Sequence, residues 1–264
     1  MFYLLCICIS FFSFANSFII EAKNENDTSL GHGFFIERNL IATSYHVVEN
    51  ATDITFSIDG TKHDAQLLGY DQVLDIAILT TQHKTMDFYA IASCKNESSG
   101  TLVTALDKIF GDIEGDDTFN LIVNIRGKIG YSGAPFVIKN GVCGILTGFK
   151  KEEGSAIIAK ISNTLLKNLQ KGAQIRKKDL KIYITELTKE NARLLNLDLK
   201  NIPKGILVTQ SENTNIKEWD IITHINGNST PTVEEFLEVV NKIYQNEEVT
   251  LEKITNFEIQ SITL

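Results

Sequence analysis

Three side chains in this sequence are of the types that nucleophilic catalysis needs. Ser132 lies in "RGKIGYSGAPFVIKNGVCGIL", among small residues and a proline that mark a tight turn before an apolar strand. A serine hydroxyl attacks a carbonyl only with a base in hydrogen-bond reach, and that base needs a partner to fix its tautomer. His46 closes the apolar run in "LIATSYHVV", so an imidazole stands where a rigid strand meets a turn. Asp75 lies in "DQVLDIAIL", at the mouth of a buried-looking strand. A carboxylate beside Ile, Ala and Leu is costly without a partner, and a histidine N–H is a natural one. His32 is expected ahead of the first strand and facing solvent. His63, His83 and His224 read as packed or surface residues.

The elements that must carry these groups read as strands. From about Leu30 to Ile161 the chain runs through short segments rich in Ile, Val, Phe and Thr, each ended by Gly, Asp or Asn. That spacing predicts an all-β barrel or sandwich, with "IDG" and "KNG" as hairpin turns. "SNTLLKNLQKGAQIRKKD" has a Ser/Asn start signal and sets Leu165, Leu166 and Leu169 on one helical face. From about Leu180 strands and helices mix. "TPTVEEFLEVVNKIY" is the strongest helix, with Val233, Phe236, Leu237 and Val240 on one face.

Composition bounds the function. The 264 residues carry a net charge of −8, which gives no electrostatic footprint for nucleic acid. The first twenty residues hold no charged side chain. They read as a signal peptide cut after Ala15 or, uncut, as an N-terminal anchor over residues 2–20. Export follows from either. Of four cysteines, Cys6 and Cys8 lie in this leader. Cys94 and Cys143 could pair or could be two buried thiols. No metal-ligand spacing is present, and neither a metal nor a cofactor is expected.

Chain order separates the catalytic alternatives. Hydrolases with a Gly-x-Ser-x-Gly elbow run Ser, acid, His, whereas here the order is His46, Asp75, Ser132. With that order, the chain resembles a PDZ-bearing member of the HtrA family of serine proteases. "GHGFFIERNLIATSYHVVENATDITFSI" resembles that family's first barrel, with its Thr-x-x-His-Val-Val segment. "LLGYDQVLDIAILTT" resembles the acid-bearing segment, where an outer Asp, here Asp71, precedes the catalytic one. "GYSGAPFVIKNGVCGILTGF" resembles the Gly-x-Ser-Gly-Gly-Pro segment, and "GILVTQ" with "DIITHINGNSTPTVEEF" resembles a PDZ domain. The likeness runs from about residue 30 to the C-terminus. Tyr131 stands where the family usually has Asn, and Ala134, Lys181 and Trp219 where it usually has Gly.

The resemblance implies a mainly β protein. A chymotrypsin-like double β-barrel over residues 28–162 would be followed by a helix and linker over 163–179 and a small α+β PDZ domain over 180–264. Residues 1–15 would be the leader. It implies Ser132 as nucleophile, His46 as base and Asp75 as orienting acid, with the N–H groups of Gly130 and Ser132 as oxyanion hole. Leu146, Thr147 and Gly148 would line a pocket for small or medium aliphatic residues. Lys181, Ile182, Tyr183 and Ile184 would hold an added peptide strand beside a helix over residues 232–243. The partners would be polypeptides, either unfolded or with free C-terminal ends, and assembly into homotrimers is an option the family offers. The expected compartment is the periplasm, with membrane anchoring or secretion as alternatives. The competing function is a catalytically idle protease-fold adaptor that binds peptides or partner proteins through its PDZ domain.

Overall fold

The computed structural model describes residues 17–150 and 154–264. The expected leader, residues 1–15, lies outside them. The chain divides into two compact units, residues 1–174 and 175–264.

In the first unit, strands β1 (Ser17–Lys23), β2 (Thr28–Glu37), β3 (Leu40–Ser44), β4 (Asp53–Ile58), β5 (Thr61–Asp71) and β6 (Ile76–Thr81) follow one another, with one helical turn, α1 (Tyr45–Val48), after β3. They pair in the order β5-β4-β1-β2-β3-β6, and β5 returns to β6 to close the barrel. Alternation decides which faces point inward: Phe18, Ile20 and Ala22 of β1, and Ile54 and Phe56 of β4, are buried. Phe18, Phe35 and Phe56 meet at the centre with ring centroids 5.0 to 5.9 Å apart. Burying each such ring contributes roughly 2–3 kcal/mol. Because residues 17–20 belong to β1 and Phe18 and Ile20 lie in this core, they cannot also serve a membrane anchor over residues 2–20. The barrel therefore begins well before the expected boundary at 28.

A second barrel follows, from β7 (Ser99–Val103), β8 (Lys108–Asp116), β9 (Asn120–Val123), β10 (Pro135–Ile138), β11 (Gly141–Phe149) and β12 (Ala156–Lys160). It closes in the order β10-β11-β12-β9-β8-β7. Leu102, Leu121, Val123, Phe136, Leu146 and Ile158 fill it. Cys94 and Cys143 are joined in a disulfide, with Cα atoms 5.2 Å apart, which resolves the open choice between a pair and two thiols. Helix α2 (Asn163–Gln170) is capped by the Ser162 hydroxyl and buries Leu166 and Leu169.

The second unit starts beside the two-residue strand β13 (Gln174–Ile175). Its sheet comprises β14 (Ile182–Glu186), β15 (Ile206–Ser211), β16 (Ile221–Ile225), β18 (Thr250–Thr255) and β19 (Glu258–Thr263), with β17 (Asn228–Ser229) beside β16. Helix α3 (Lys189–Leu194) begins at a Thr188 cap. Helix α4 (Val233–Val240) begins with a capping box of Thr232 and Glu235. Phe236 and Val240 of α4 enter the core, whereas Leu237 is 43% exposed, so the predicted apolar face is narrower than its spacing suggests. A buried ion pair, Lys253 Nζ to Asp220 Oδ2 at 2.6 Å, ties β18 to the turn before β16.

Candidate active site

Asp75 and His46 meet because two neighbouring connections bring them together. The buried Asp71 carboxylate ends β5 and accepts the N–H groups of Val73 (2.9 Å) and Leu74 (3.0 Å), which shapes the turn into β6. Burial pushes the Asp71 pKa up, and the two backbone donors oppose it. At the end of that turn Asp75 takes a left-handed backbone (φ 55°). Its own carbonyl accepts the Tyr45 N–H at 3.0 Å, which docks the turn onto α1. Its carboxylate then receives two donors from His46: the backbone N–H at 2.8 Å and ring Nδ1 at 2.5 Å.

A carboxylate can only accept, so Nδ1 carries the proton and Nε2 is left as the basic nitrogen. The hydrogen bond that His46 donates to Asp75 pushes its pKa above 6.5, against the desolvation that would lower it. Val47 and Val48, both buried, pin α1 to the first barrel, while the His46 side chain stays 45% exposed.

Ser132 comes from the second barrel, on the turn between β9 and β10. That turn is held by short-range bonds, Tyr131 N–H to the Lys128 carbonyl (3.2 Å) and Ala134 N–H to the Tyr131 carbonyl (3.1 Å). Gly133 N–H donates to the Leu146 carbonyl at 2.8 Å. Gly130 and Gly133 have φ of 92° and 88°, and a Cβ at Gly133 would lie 2.0 Å from the His32 carbonyl oxygen. Only glycine fits such a backbone and such an approach. The two barrels are also clasped by the Ser44 hydroxyl, which donates to the Leu146 carbonyl at 2.8 Å.

His46 and Ser132 face one cleft of about 810 Å³, together with Gly130, Leu30 and Phe149. Its charged lining residues are all cationic among the described residues: Arg126, Lys128 and Lys150. No hydrogen bond between the Ser132 hydroxyl and the His46 ring occurs among the described residues. Contacts of this kind are often loose before substrate closes them.

The predicted pocket residues sit differently. Leu146 is wholly buried in the second barrel, while Thr147 and Gly148 are partly exposed. The cleft's own lining comes from the next residue on β11, Phe149, and from the 126–130 loop. Sequence reasoning did not single out Phe149.

His32 requires a correction. It lies inside β2, is 7% exposed, and its Nδ1 is 2.7 Å from the Gly130 carbonyl oxygen. In the second unit, Lys181 takes the left-handed backbone (φ 57°) of a glycine position, and its N–H and Nζ both bind Asp179, at 2.9 and 2.7 Å. Ile182, Tyr183 and Ile184 lie on β14, the end strand of its sheet, and Tyr183 is 62% exposed.

The family model of the trypsin-like peptidase domain matches residues 31–145. The periplasmic serine endoprotease DegP of Escherichia coli is 28% identical over 75% of this chain and 48% of its own length. The periplasmic pH-dependent serine endoprotease DegQ of the same organism is 28% identical over 75% of this chain and 50% of its own. The chain thus spans about half the length of the curated relatives it matches. Among solved structures, the HtrA-type protease AlgW with a decapeptide shares the fold with a TM-score of 0.55, at 16% identity and 94% coverage of both chains. A serine endoprotease from Yersinia pestis does so with a TM-score of 0.53, at 18% identity, over 95% of this chain and 93% of that one. By family model and relatives the chain is similar to trypsin-like serine proteases of HtrA/DegP-like kind, and the solved structures show that it shares their fold.

Proposed function

We propose that this protein is an exported serine endopeptidase of HtrA type, working through an acyl-enzyme. The observation that carries the reading is the paired hydrogen bonding of His46 to Asp75, which fixes a basic Nε2 on an imidazole that shares a cleft with Ser132. In this reading the Ser132 oxygen bonds to the scissile carbonyl carbon, its proton passes to His46 Nε2, and the carbonyl electron pair moves onto oxygen. The N–H groups of Gly130 and Ser132 stabilise that oxyanion, each donor contributing roughly 3 kcal/mol. Collapse breaks the C–N bond and His46 returns the proton to the departing amine. Water then hydrolyses the ester by the same steps. Phe149 bounds the substrate cleft, and the peptide chain runs along the cationic 126–130 loop.

The second unit is a PDZ domain that adds a peptide strand along β14, at Lys181, Ile182, Tyr183 and Ile184, beside α4. Its open edge and the left-handed Lys181 support this. The compartment is the periplasm: the relatives carry that name, and the Cys94–Cys143 disulfide suits an oxidising space. Substrates are unfolded or exposed polypeptides. Cleavage of unfolded casein tests the activity, and Ser132→Ala is expected to abolish turnover while leaving the fold intact. Equal behaviour of the two proteins would instead favour the idle adaptor.

A further inference from the structure

We propose that His32 is a positioning residue for the oxyanion loop, holding the nucleophile turn in its working shape from the opposite barrel. The inference rests on the reading of Ser132 as nucleophile and adds a role that the triad does not include. His32 grips the turn at two points. Its backbone N–H donates to the Ser132 carbonyl at 2.7 Å, and its ring Nδ1 lies 2.7 Å from the Gly130 carbonyl oxygen. A carbonyl can only accept, so Nδ1 carries the proton and donates.

The consequence is geometric. The Gly130–Tyr131 peptide is tethered at both ends, its carbonyl to His32 and its N–H to the Lys128 carbonyl at 3.2 Å. The Ser132–Gly133 peptide is tethered likewise, its carbonyl to the His32 N–H and its N–H to the Leu146 carbonyl at 2.8 Å. Between these two lies the peptide that carries the Ser132 N–H. With both neighbouring peptides tethered, its two flanking Cα atoms are fixed in place, and its own carbonyl, that of Tyr131, accepts the Ala134 N–H at 3.1 Å. The peptide that carries the Gly130 N–H abuts the same tethered unit. Gly130 itself, with φ 92° and no atom within 4 Å of a Cβ position, has no steric wall to hold it, so the hydrogen bond supplies the constraint.

The ring is itself held. The Tyr131 ring stands edge-on to the imidazole, with centroids 6.0 Å apart and planes at 90°, and its hydroxyl donates to Asp107 Oδ2 at 3.1 Å. The His32 carbonyl accepts the Thr43 hydroxyl at 2.7 Å. Burial pushes the His32 pKa below 6.5, against the hydrogen bond to the Gly130 carbonyl, and so favours the neutral ring. Tyr131 is the residue that departs from the family's Asn, and here it packs against His32.

The test separates clamp from filler. His32→Leu keeps the volume and removes the donor. His32→Asn places an amide N–H near the position of Nδ1. With casein as substrate, His32→Leu is expected to lower kcat by roughly 10²-fold, the scale of losing one oxyanion donor, with KM within about twofold. His32→Asn is expected to recover most of that loss. A His32→Leu protein that retains kcat, or an Asn variant no better than Leu, would overturn the proposal. A second measurement needs neither variant nor activity. Long-range 1H–15N correlation on the wild-type protein is expected to show His32 as the Nδ1–H tautomer, and an Nε2–H tautomer would overturn the clamp. A wild type that cleaves nothing yet shows the Nδ1–H tautomer would count against the protease reading and in favour of the clamp.

Discussion

Asp75 does two separable things to His46: it chooses the tautomer and it raises the pKa. Asp75→Asn removes both while preserving size. Turnover is expected to fall by roughly 10⁴-fold, because an amide can donate to Nδ1 and turn the proton to Nε2. The pH profile carries the second effect. Catalysis needs neutral His46, whose pKa is raised above 6.5, so wild-type kcat/KM is expected to fall as pH drops through a midpoint above that value. The acid limb of Asp75→Asn is expected at lower pH, since the raising partner is gone; initial rates on casein from pH 5 to 9 check both. The His46–Asp75 interaction has the matching sign in stability, full below 6.5 and fading as pH rises through the raised pKa. His46, Asp75 and Ser132 could be proposed from the sequence because each stands in a local segment with its own signature. His32 could not. Its contact with Gly130 joins residues 98 apart in sequence, and no local pattern around "GHGFF" reports what a strand will meet across a barrel interface.

The turn from Lys128 to Ala134 is where sequence and backbone constrain each other most tightly. Gly133→Ala would place a methyl 2.0 Å from the His32 carbonyl and force an L-residue to φ 88°. The strain costs about 1–3 kcal/mol or moves the turn. A displacement of even 1 Å is expected to lower kcat on the order of 10²-fold. Thermal melts and casein turnover of Gly133→Ala measure the two losses, and a variant with wild-type values for both would contradict the close approach. Among the elements, the "IDG" and "KNG" hairpins were readable because their turn chemistry is local. Asp59 and Gly60 both take positive φ in the β4–β5 turn, as a two-residue hairpin loop requires. Strand β1 was hidden. "SFII" continues the apolar N-terminal run of the sequence, and nothing in its composition marks where the barrel starts. Leu237 was misassigned to the helix core face because α4 is only eight residues long and buries a narrow stripe.

At the scale of the molecule, two devices hold parts that the strands alone leave loosely joined. The Cys94–Cys143 disulfide closes a 49-residue separation within the second barrel, and removing it is expected to cost about 2–4 kcal/mol. A Cys94→Ala/Cys143→Ala double variant should therefore melt earlier than the oxidised wild type. It should coincide with the wild type under reductant, and equal melting in all three would deny the bond a structural role. The second unit depends on Asp220, which is buried and accepts from Lys253, Thr255 and the Lys217 N–H. The two-unit plan was readable from the change of texture near residue 162. The two units divide at residue 174, inside the expected helix and linker over 163–179, and α2 buries Leu166 and Leu169.

The central claim is that Ser132 is an activated nucleophile served by His46. The most direct measurement is labelling of the folded protein with a fluorophosphonate, followed by peptide mass spectrometry to locate the adduct. The account predicts a single adduct on Ser132, lost in Ser132→Ala and strongly slowed in His46→Ala. A folded wild type that takes no label, or takes it elsewhere, would contradict it.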